Sequence, residues 1–310
     1  MPNPLACRLR RPLALAALAA SLLAPAPAMP EPLRLFTVGT ASLAGNYYAA
    51  GRAICALVNR DGPPDLRCSP EPTPGSQYNI LALEKGELDF AFVQSDWQHR
   101  AYAGTGPFAG APLTELRSVM SLYAEAVTLI ARGGAQIASP ADLAGKVVDL
   151  GNPSTARRGT VDRVLRGIGV DPEGFARSAE LSAAAVGPEL CAGRIDAAFL
   201  VIGHPNAALG DTLASCDLRL VPLEGRAVRR FVEESDDFEL YAIPAGTYGA
   251  APDAVRTVST LATLVPRPAV DDALVGYVAR TILARYDALA ERVPALGRRD
   301  PEAIDRKSVV

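Results

Sequence analysis

The sequence is poor in the side chains from which most catalysts and metal centres are built. Its 310 residues include two histidines, one tryptophan, three methionines and five cysteines. That leaves little material for a transition-metal site, and no C-x-x-C pair is present to begin one. The G-x-S-x-G turn that presents a nucleophilic serine does not occur. Gly39-Thr-Ala-Ser-Leu-Ala-Gly45 sets its serine one position too far from each glycine. There is no G-x-x-x-x-G-K-[ST] phosphate loop. Gly104-Thr-Gly-Pro-Phe-Ala-Gly110 has the wrong spacing for a dinucleotide fingerprint, and no strand directly precedes it. Glu233-Glu234 and Asp236-Asp237 lie in a polar run that reads as a solvated face. Lys and Arg number 31 against 34 acids, a net charge of -3. With no basic excess to neutralise phosphates, a nucleic-acid partner is excluded. No catalytic residue, metal or cofactor is expected.

What is present is apolar. Hydrophobic residues make up 49% and charged residues 21%, enough for a large core or two ordinary domains. Arg8, Arg10 and Arg11 precede the apolar run Leu13–Ala24, which is followed by Ala26-Pro27-Ala28. A basic start, a short apolar stretch and an A-x-A end make a secretory signal over residues 1–28, cleaved after about Ala28. The run is too short to span a bilayer, and no later stretch is long and apolar enough. Cys7 lies on the wrong side of it for lipid attachment. The expected location is the periplasm.

Removal of residues 1–28 takes away three Arg and no acid, leaving 28 basic and 34 acidic side chains and a charge of -6. Cys55, Cys68, Cys191 and Cys216 remain. An even count in an oxidising compartment points to disulfides. Three connectivities exist; the local one, Cys55–Cys68 with Cys191–Cys216, is favoured over four free thiols.

Strand-like and helix-like runs alternate along the chain, predicting an α/β fold with mainly parallel sheets and helices on both faces. Strands are expected at 33–38, 89–93, 117–123, 127–131, 146–150, 195–202, 218–222 and 240–243. Helices are expected at 46–59, 76–85, 97–102, 158–168 and 184–193, and two long ones at about 252–265 and 270–292. Residues 61–64 and 70–75 read as loops. Ser139-Pro-Ala-Asp142 reads as an N-cap with Pro at the first helical position. Glu84–Val93 and Cys191–Leu200 share one arrangement: a helix ending at Gly, an Asp-led apolar strand, then a polar turn.

Four small polar turns stand at carboxyl ends of strands: Thr40 to Tyr48, Gln94 to Asp96, Asn152 to Arg158 and Gly203 to Asn206. Ligands bind outside those ends in open α/β sheets. Helix starts after Ser42/Gly45 and after Ser154/Thr155 suit an anion such as a carboxylate, with Arg157 or Arg158 as a charged contact. Of Tyr47 and Tyr48, one covers the ligand while the other packs inward. His204 reads as a turn residue.

Gly39-Thr-Ala-Ser-Leu-Ala-Gly-Asn-Tyr-Tyr48 resembles the opening of the TAXI-type solute receptors of TRAP transporters. The resemblance continues through Thr73-Pro-Gly-Ser76 with Asn79, Gly86-Glu-Leu-Asp89 and Gln94-Ser-Asp96. It extends to Gly104-Thr-Gly-Pro-Phe108, Gly151-Asn-Pro153 with Arg158, Gly203-His-Pro-Asn206 and Ile243-Pro-Ala-Gly-Thr-Tyr248. It implies a two-lobed, hinged periplasmic binding protein of type II-like form. It further implies a small carboxylate ligand, glutamate-like or a dicarboxylate, and delivery to ion-gradient-driven TRAP permease subunits, often fused. The contacts it implies are Ser42, Tyr47, Gln94, Ser154, Thr155, Arg158, Gly203 and Pro205. Where the family carries a glycine-serine-glycine-threonine-like run, this chain has Ser154-Thr-Ala-Arg157.

The expected division is lobe 1 at 31–123 plus 245–310 and lobe 2 at 124–244, with hinge segments near 122–126 and 240–246. A monomer suffices for this. Rival readings are a periplasmic lyase or dehydratase on the same scaffold, drawing on Asp96, Asp149 or His204, and a ligand-sensing subunit of a signalling system.

Overall fold

The computed structural model describes residues 32–249 and 253–297. The signal expected over 1–28, Cys7 within it and the tail beyond 297 lie outside the described residues. The compact body begins at Arg34.

Its first part runs β1 (Arg34–Gly39), α1 (Asn46–Asp61), β2 (Leu66–Glu71), α2 (Ser76–Glu84), β3 (Phe90–Gln94) and α3 (Ser95–Ala103). Next come β4 (Met120–Arg132), β5 (Val147–Asp149), α4 (Ala156–Gly167), β6 (Arg177–Ala179), α5 (Ala183–Cys191) and β7 (Ala197–Ile202). The chain continues with α6 (Ala207–Ser215), β8 (Leu218–Val221), α7 (Arg226–Glu233), β9 (Glu239–Ile243) and β10 (Val255–Pro266), and closes with α8 (Asp272–Ala284) and α9 (Tyr286–Arg292). In α1 the apolar marks Tyr47, Ile54, Leu57 and Val58 share the buried face, as helical periodicity demands.

The sheet order is β2-β1-β3-β10-β4-β7-β5-β6, with β8 also on β4 and β9 on β10. Both ends are parallel: β1 with β2 and β3, and β5 with β6 and β7. The middle is antiparallel: β10 with β3, β4 and β9, and β4 with β7 and β8. The α/β class holds, but the sheet is mixed where mainly parallel pairing is expected. Two long strands, β4 and β10, run through the centre against the βαβ strands on either side.

Three expected elements differ. The helix placed at 252–265 is strand β10 from Val255 on. Val255, Thr257, Val258, Thr260, Thr263 and Val265 are β-branched and stiff at χ1, which favours a strand buried between neighbours. The strands placed at 117–123 and 127–131 are one continuous strand, β4. The helix placed at 270–292 breaks at Arg285, whose φ of -120° leaves the helical region and separates α8 from α9. Strand β2 has no counterpart in the sequence reading, which places 70–75 in a loop, although Pro70 and Glu71 belong to the strand. It pairs along its whole length with β1, and its Cys68 is bonded to Cys55 of α1. The second disulfide joins Cys191 to Cys216, so the favoured local pairing is the observed one.

Apolar side chains gather into separate cores. Phe36, Ile54, Phe92, Leu122, Leu264 and Ile282 belong to one. Ile80, Leu83, Trp97, Phe108 and Val265 belong to a second that adjoins it in sequence. Val127, Val148, Val161, Phe199 and Val258 form a third. Ile130, Leu190, Leu200, Ile243 and Tyr248 form a fourth, with Val255 packed against it. The packing therefore changes over between Tyr123 and Val127 on β4, and between Val258 and Ala262 on β10. The second changeover lies beyond the expected 240–246, because Ile243, Tyr248, Val255 and Val258 still pack with the 127–258 residues.

The recurring arrangement has a structural counterpart. Gly86 and Gly193 end their helices at φ of 74° and 70°, a left-handed conformation that glycine adopts without penalty. The following Asp89 accepts the backbone N–H of Thr37 at 2.9 Å and pairs with Arg267. Asp196 likewise accepts that of Val147 at 2.9 Å and pairs with Arg132. Each acid ties its own strand to the parallel neighbour.

Candidate functional site

The turns after β1, β3, β5 and β7 meet around a cavity of about 390 Å³. A larger groove of about 610 Å³ lies along Val232–Leu240 and Ser259–Leu261, and of the predicted turn residues it holds only Ser95. Ser42, Tyr47, Gln94, Ser154, Thr155 and Gly203 all line the 390 Å³ cavity. Six of the eight predicted contacts are thus brought together from stretches far apart in the chain.

Arg158 and Pro205 are not on its wall. Arg158 holds both oxygens of Asp162 from Nε at 2.9 Å and reaches Glu180 at 3.4 Å. One step along a helix turns the side chain by about 100°, so its neighbour Arg157 lines the cavity instead. The Arg157 guanidinium is occupied there: it lies 3.1 Å from Asp149 and donates to the carbonyls of Leu181 and Phe199 at 2.5 and 3.3 Å. Gly151 has a φ of 90°, and a Cβ there would sit 2.3 Å from Arg157 Nε, so only glycine lets the arginine lie flat. Past Gly203 the chain turns into the protein. His204 contacts Thr128 at 2.8 Å and Tyr248 at 2.7 Å, and Asn206 caps α6 by accepting from Leu209 N–H. This carries Pro205 away from the wall. Gly203 itself packs tightly: a Cβ would stand 2.7 Å from the Tyr123 ring and 2.8 Å from Asn46 Nδ2.

Four helices begin at the cavity. Gly45, Gly75, Thr155 and Ser182 are the N-caps of α1, α2, α4 and α5, all four line the wall, and none makes a side-chain cap hydrogen bond. Thr155 instead donates its hydroxyl to Asn152 O at 2.7 Å, and the Ser154 hydroxyl donates to Asn152 Oδ1. The first N–H groups of a helix have no intrahelical acceptor, and the aligned peptide dipoles make that end positive. Four such ends around one space form an anion-binding field assembled from backbone.

The floor is polar and buried. Gln94 is 5% exposed, and its Nε2 has no hydrogen-bond partner among the described residues. Glu125 of β4 also lines the wall and receives a hydrogen bond from the Tyr47 hydroxyl. Burial raises the Glu125 carboxyl to about 8, against the pull of Tyr47, and Asp96 adds a smaller upward push. Burial, then Glu125, also raises the Tyr47 hydroxyl well above its ordinary value. Tyr47 stacks on Phe92 with centroids 5.2 Å apart, so it both packs inward and faces the cavity. Glu125, Asn46, Thr73, Ser76 and Ser182 are not among the predicted contacts, and Arg157 is there only as the alternative to Arg158 for a charged contact. Glu125 had one signal in the sequence: it is the lone acid inside the apolar run Met120–Ala131.

The acid/base candidates of the enzyme reading stand elsewhere. Asp96 is fully buried, accepts from Thr160 Oγ1 at 2.8 Å, and is raised to about 6 chiefly by burial. Asp149 is bound to Arg157 and to the backbone of Leu181. His204 is lowered to about 4 by burial. None of the three lines the cavity.

Contacts also join the two sets of cores. Asn46 Nδ2 donates to Gly203 O at 2.8 Å, and Asn206 Nδ2 to Asn46 Oδ1 at 3.0 Å. Deeper in, Trp97 Nε1 donates to Ala156 O, and Asp237 holds both His99 and Arg163 at 2.6 Å.

The fold is that of two-lobed periplasmic binding proteins. PhnD1 from Prochlorococcus marinus, solved with methylphosphonate, aligns with a TM-score of 0.55 at 11% identity, over 84% of this chain and 89% of that one. An ancestral arginine-binding protein bound to arginine aligns at 0.52 with 13% identity, over 83% and 97%. A putative L-cystine ABC transporter from Listeria monocytogenes aligns at 0.51 with 14% identity, over 89% and 100%. At these identities the likeness is one of fold alone. The sequence adds the family: residues 38–310 match the NMT1-like family, and the chain belongs to it.

Proposed function

We propose that this protein is a periplasmic solute receptor. It binds a small carboxylate, glutamate-like or a dicarboxylate, between two lobes and delivers it unaltered to a TRAP-type permease driven by an ion gradient. The observation that carries the reading is the ring of four uncapped helix N-termini around one cavity. Such a ring suits an anion, and Arg157 is already occupied by Asp149. Ser42, Tyr47, Gln94 and Gly203, which belong to the TAXI-like motif series and stand on the same wall, favour the TRAP partner over the ABC partner named for one structural relative.

In this reading residues up to Tyr123 form lobe 1 and are rejoined by the chain near Ala262. The hinge is Ala124–Ala126 on β4 and Ser259–Leu261 on β10. A solute touching both lobes favours the closed form by its differential contacts. The signal over 1–28 and the two disulfides fit a protein that works outside the cytoplasm.

A thermal-shift screen over amino acids, organic acids and alkylphosphonates tests this, after any co-purified solute is stripped. A rise in melting temperature with carboxylates, with each compound recovered intact, is expected. Selective stabilisation by phosphonates overturns the ligand class. Turnover of any compound supports the enzyme reading instead.

A further inference from the structure

The cavity floor contains one acid that the backbone anion field does not explain. Among the described residues on its wall, Glu125 is the only acid and Arg157 the only base. A receptor for anions would be expected to avoid a carboxylate there, since two like charges repel in a low-dielectric site. The surroundings of Glu125 resolve the conflict. From α1, Tyr47 donates its hydroxyl to Glu125 Oε2. On its own strand, Tyr123 stands two residues away with its hydroxyl unpartnered. From α3, Asp96 contributes negative charge. On β10, Thr260 faces Glu125 across the ladder. From α4, Arg157 lies on the wall but is bound to Asp149. From β3, Gln94 lines the same cavity, and its amide N–H₂ is buried without a partner among the described residues. Among the described residues no cation pairs with Glu125, and burial, with Asp96 as a negative neighbour, raises its carboxyl to about 8, which favours the neutral form near pH 7.

We propose that Glu125 is the specificity-determining residue of this cavity, holding an oxygen of the solute's carboxylate through its own proton beside Gln94. The inference rests on the carboxylate-receptor reading above and adds to it a residue and a proton. As a neutral acid, Glu125 donates one hydrogen bond to an anion instead of repelling it. Gln94 Nε2 supplies a second donor. No covalent bond forms or breaks. Where Glu125 is ionised in the empty protein, one proton is taken from solvent for each solute bound.

Calorimetric titration of the stripped protein with succinate and with L-glutamate tests this, at pH 7 and pH 9, in two buffers of different ionisation heat. For wild type, affinity for the probe that binds should fall about tenfold from pH 7 to pH 9, as the competent protonated fraction shrinks. About one proton should be taken up per solute at pH 9. Glu125→Gln keeps an N–H donor and cannot ionise, so it should bind at pH 7 and show no such fall. If wild type binds equally at both pH values with no proton uptake, Glu125 does not hold the solute, while the receptor reading stands. If neither probe binds wild type at pH 7, the carboxylate reading fails and this inference fails with it. The wild-type pH series and proton count decide the matter even if the variant folds poorly.

Discussion

Trp97 donates its indole N–H to Ala156 O at 3.1 Å and to Thr160 Oγ1 at 3.2 Å. Its partners lie on α4, across from its own helix, in the other half of the proposed cleft. Arg100 lies 4.6 Å from the ring centroid and Phe108 meets the ring edge-on. Because this is the sole tryptophan, intrinsic fluorescence reads one contact between the halves. Emission should be blue-shifted in the closed, solute-bound form and move to longer wavelength when the halves part. Emission that ignores both solute and mild denaturant would argue against a moving cleft at this contact.

Arg157 and Arg158 should separate cleanly in stability. Arg157→Ala leaves Asp149 buried and unpaired, which should destabilise the protein by about 3–5 kcal/mol. Arg158→Ala removes a half-exposed helical pair with Asp162, worth less than about 1 kcal/mol. It should also leave solute affinity unchanged. Urea unfolding of the two variants gives the comparison.

Gln94→Ala removes the unpartnered donor from the floor. Solute affinity should weaken by about 1–3 kcal/mol through a lost buried polar contact, with the melting temperature of the empty protein little changed. Equal affinity for variant and parent removes Gln94 from the site.

Buried groups of opposite kind should bound the stable pH range. Glu125 is raised to about 8. Its neutral form contributes stability that is full below its ordinary value and is lost as pH rises through about 8. Asp96, raised to about 6, acts in the same direction over a lower window. His204 is lowered to about 4. Its contribution is full above its ordinary value and is lost as pH falls through about 4. Glu125→Gln should therefore raise the melting temperature near pH 9, by a stability gain on the order of a few kcal/mol, while the acid limb from His204 persists. Melting curves from pH 4 to pH 9 test both limbs.

The disulfides Cys55–Cys68 and Cys191–Cys216 close loops of 13 and 25 residues in sequence separation. Each should add about 3 kcal/mol by restricting the unfolded chain. Thiol labelling of denatured, unreduced mature protein should find none of these four cysteines reactive. Reduction should lower the unfolding midpoint.

The elements read best in the sequence are those where one chemical rule dominates. Helix α1 carries its apolar face at helical spacing, and β7 is a short apolar run that must be buried on both sides. The 255–266 segment reads as a helix because its alternation is masked: only Arg256 is exposed, so the period that distinguishes strand from helix vanishes. Only the β-branched residues pointed the other way. For the site, turns carrying Ser42, Gln94 and Ser154 were legible because small polar residues mark strand ends. The choice between Arg157 and Arg158 was not, since it depends on the phase with which α4 leaves its cap. Glu125 is not legible by the same rule: it stands mid-strand on β4 and in no turn, between Tyr123 and Val127 where the packing changes over.

Asp89 and Asp196 each lock a strand to a neighbour within the same set of cores. Neither lock spans the changeover on β4 or β10. On the two-lobed reading proposed above, each half would travel as a stiff plate, with bending concentrated in Ala124–Ala126 and Ser259–Leu261. Glu125 lies within the first of these segments and Thr260, its cross-strand neighbour, within the second. On that reading the acid proposed to meet the solute stands on the axle itself, where a change in what it holds would act on the swing directly.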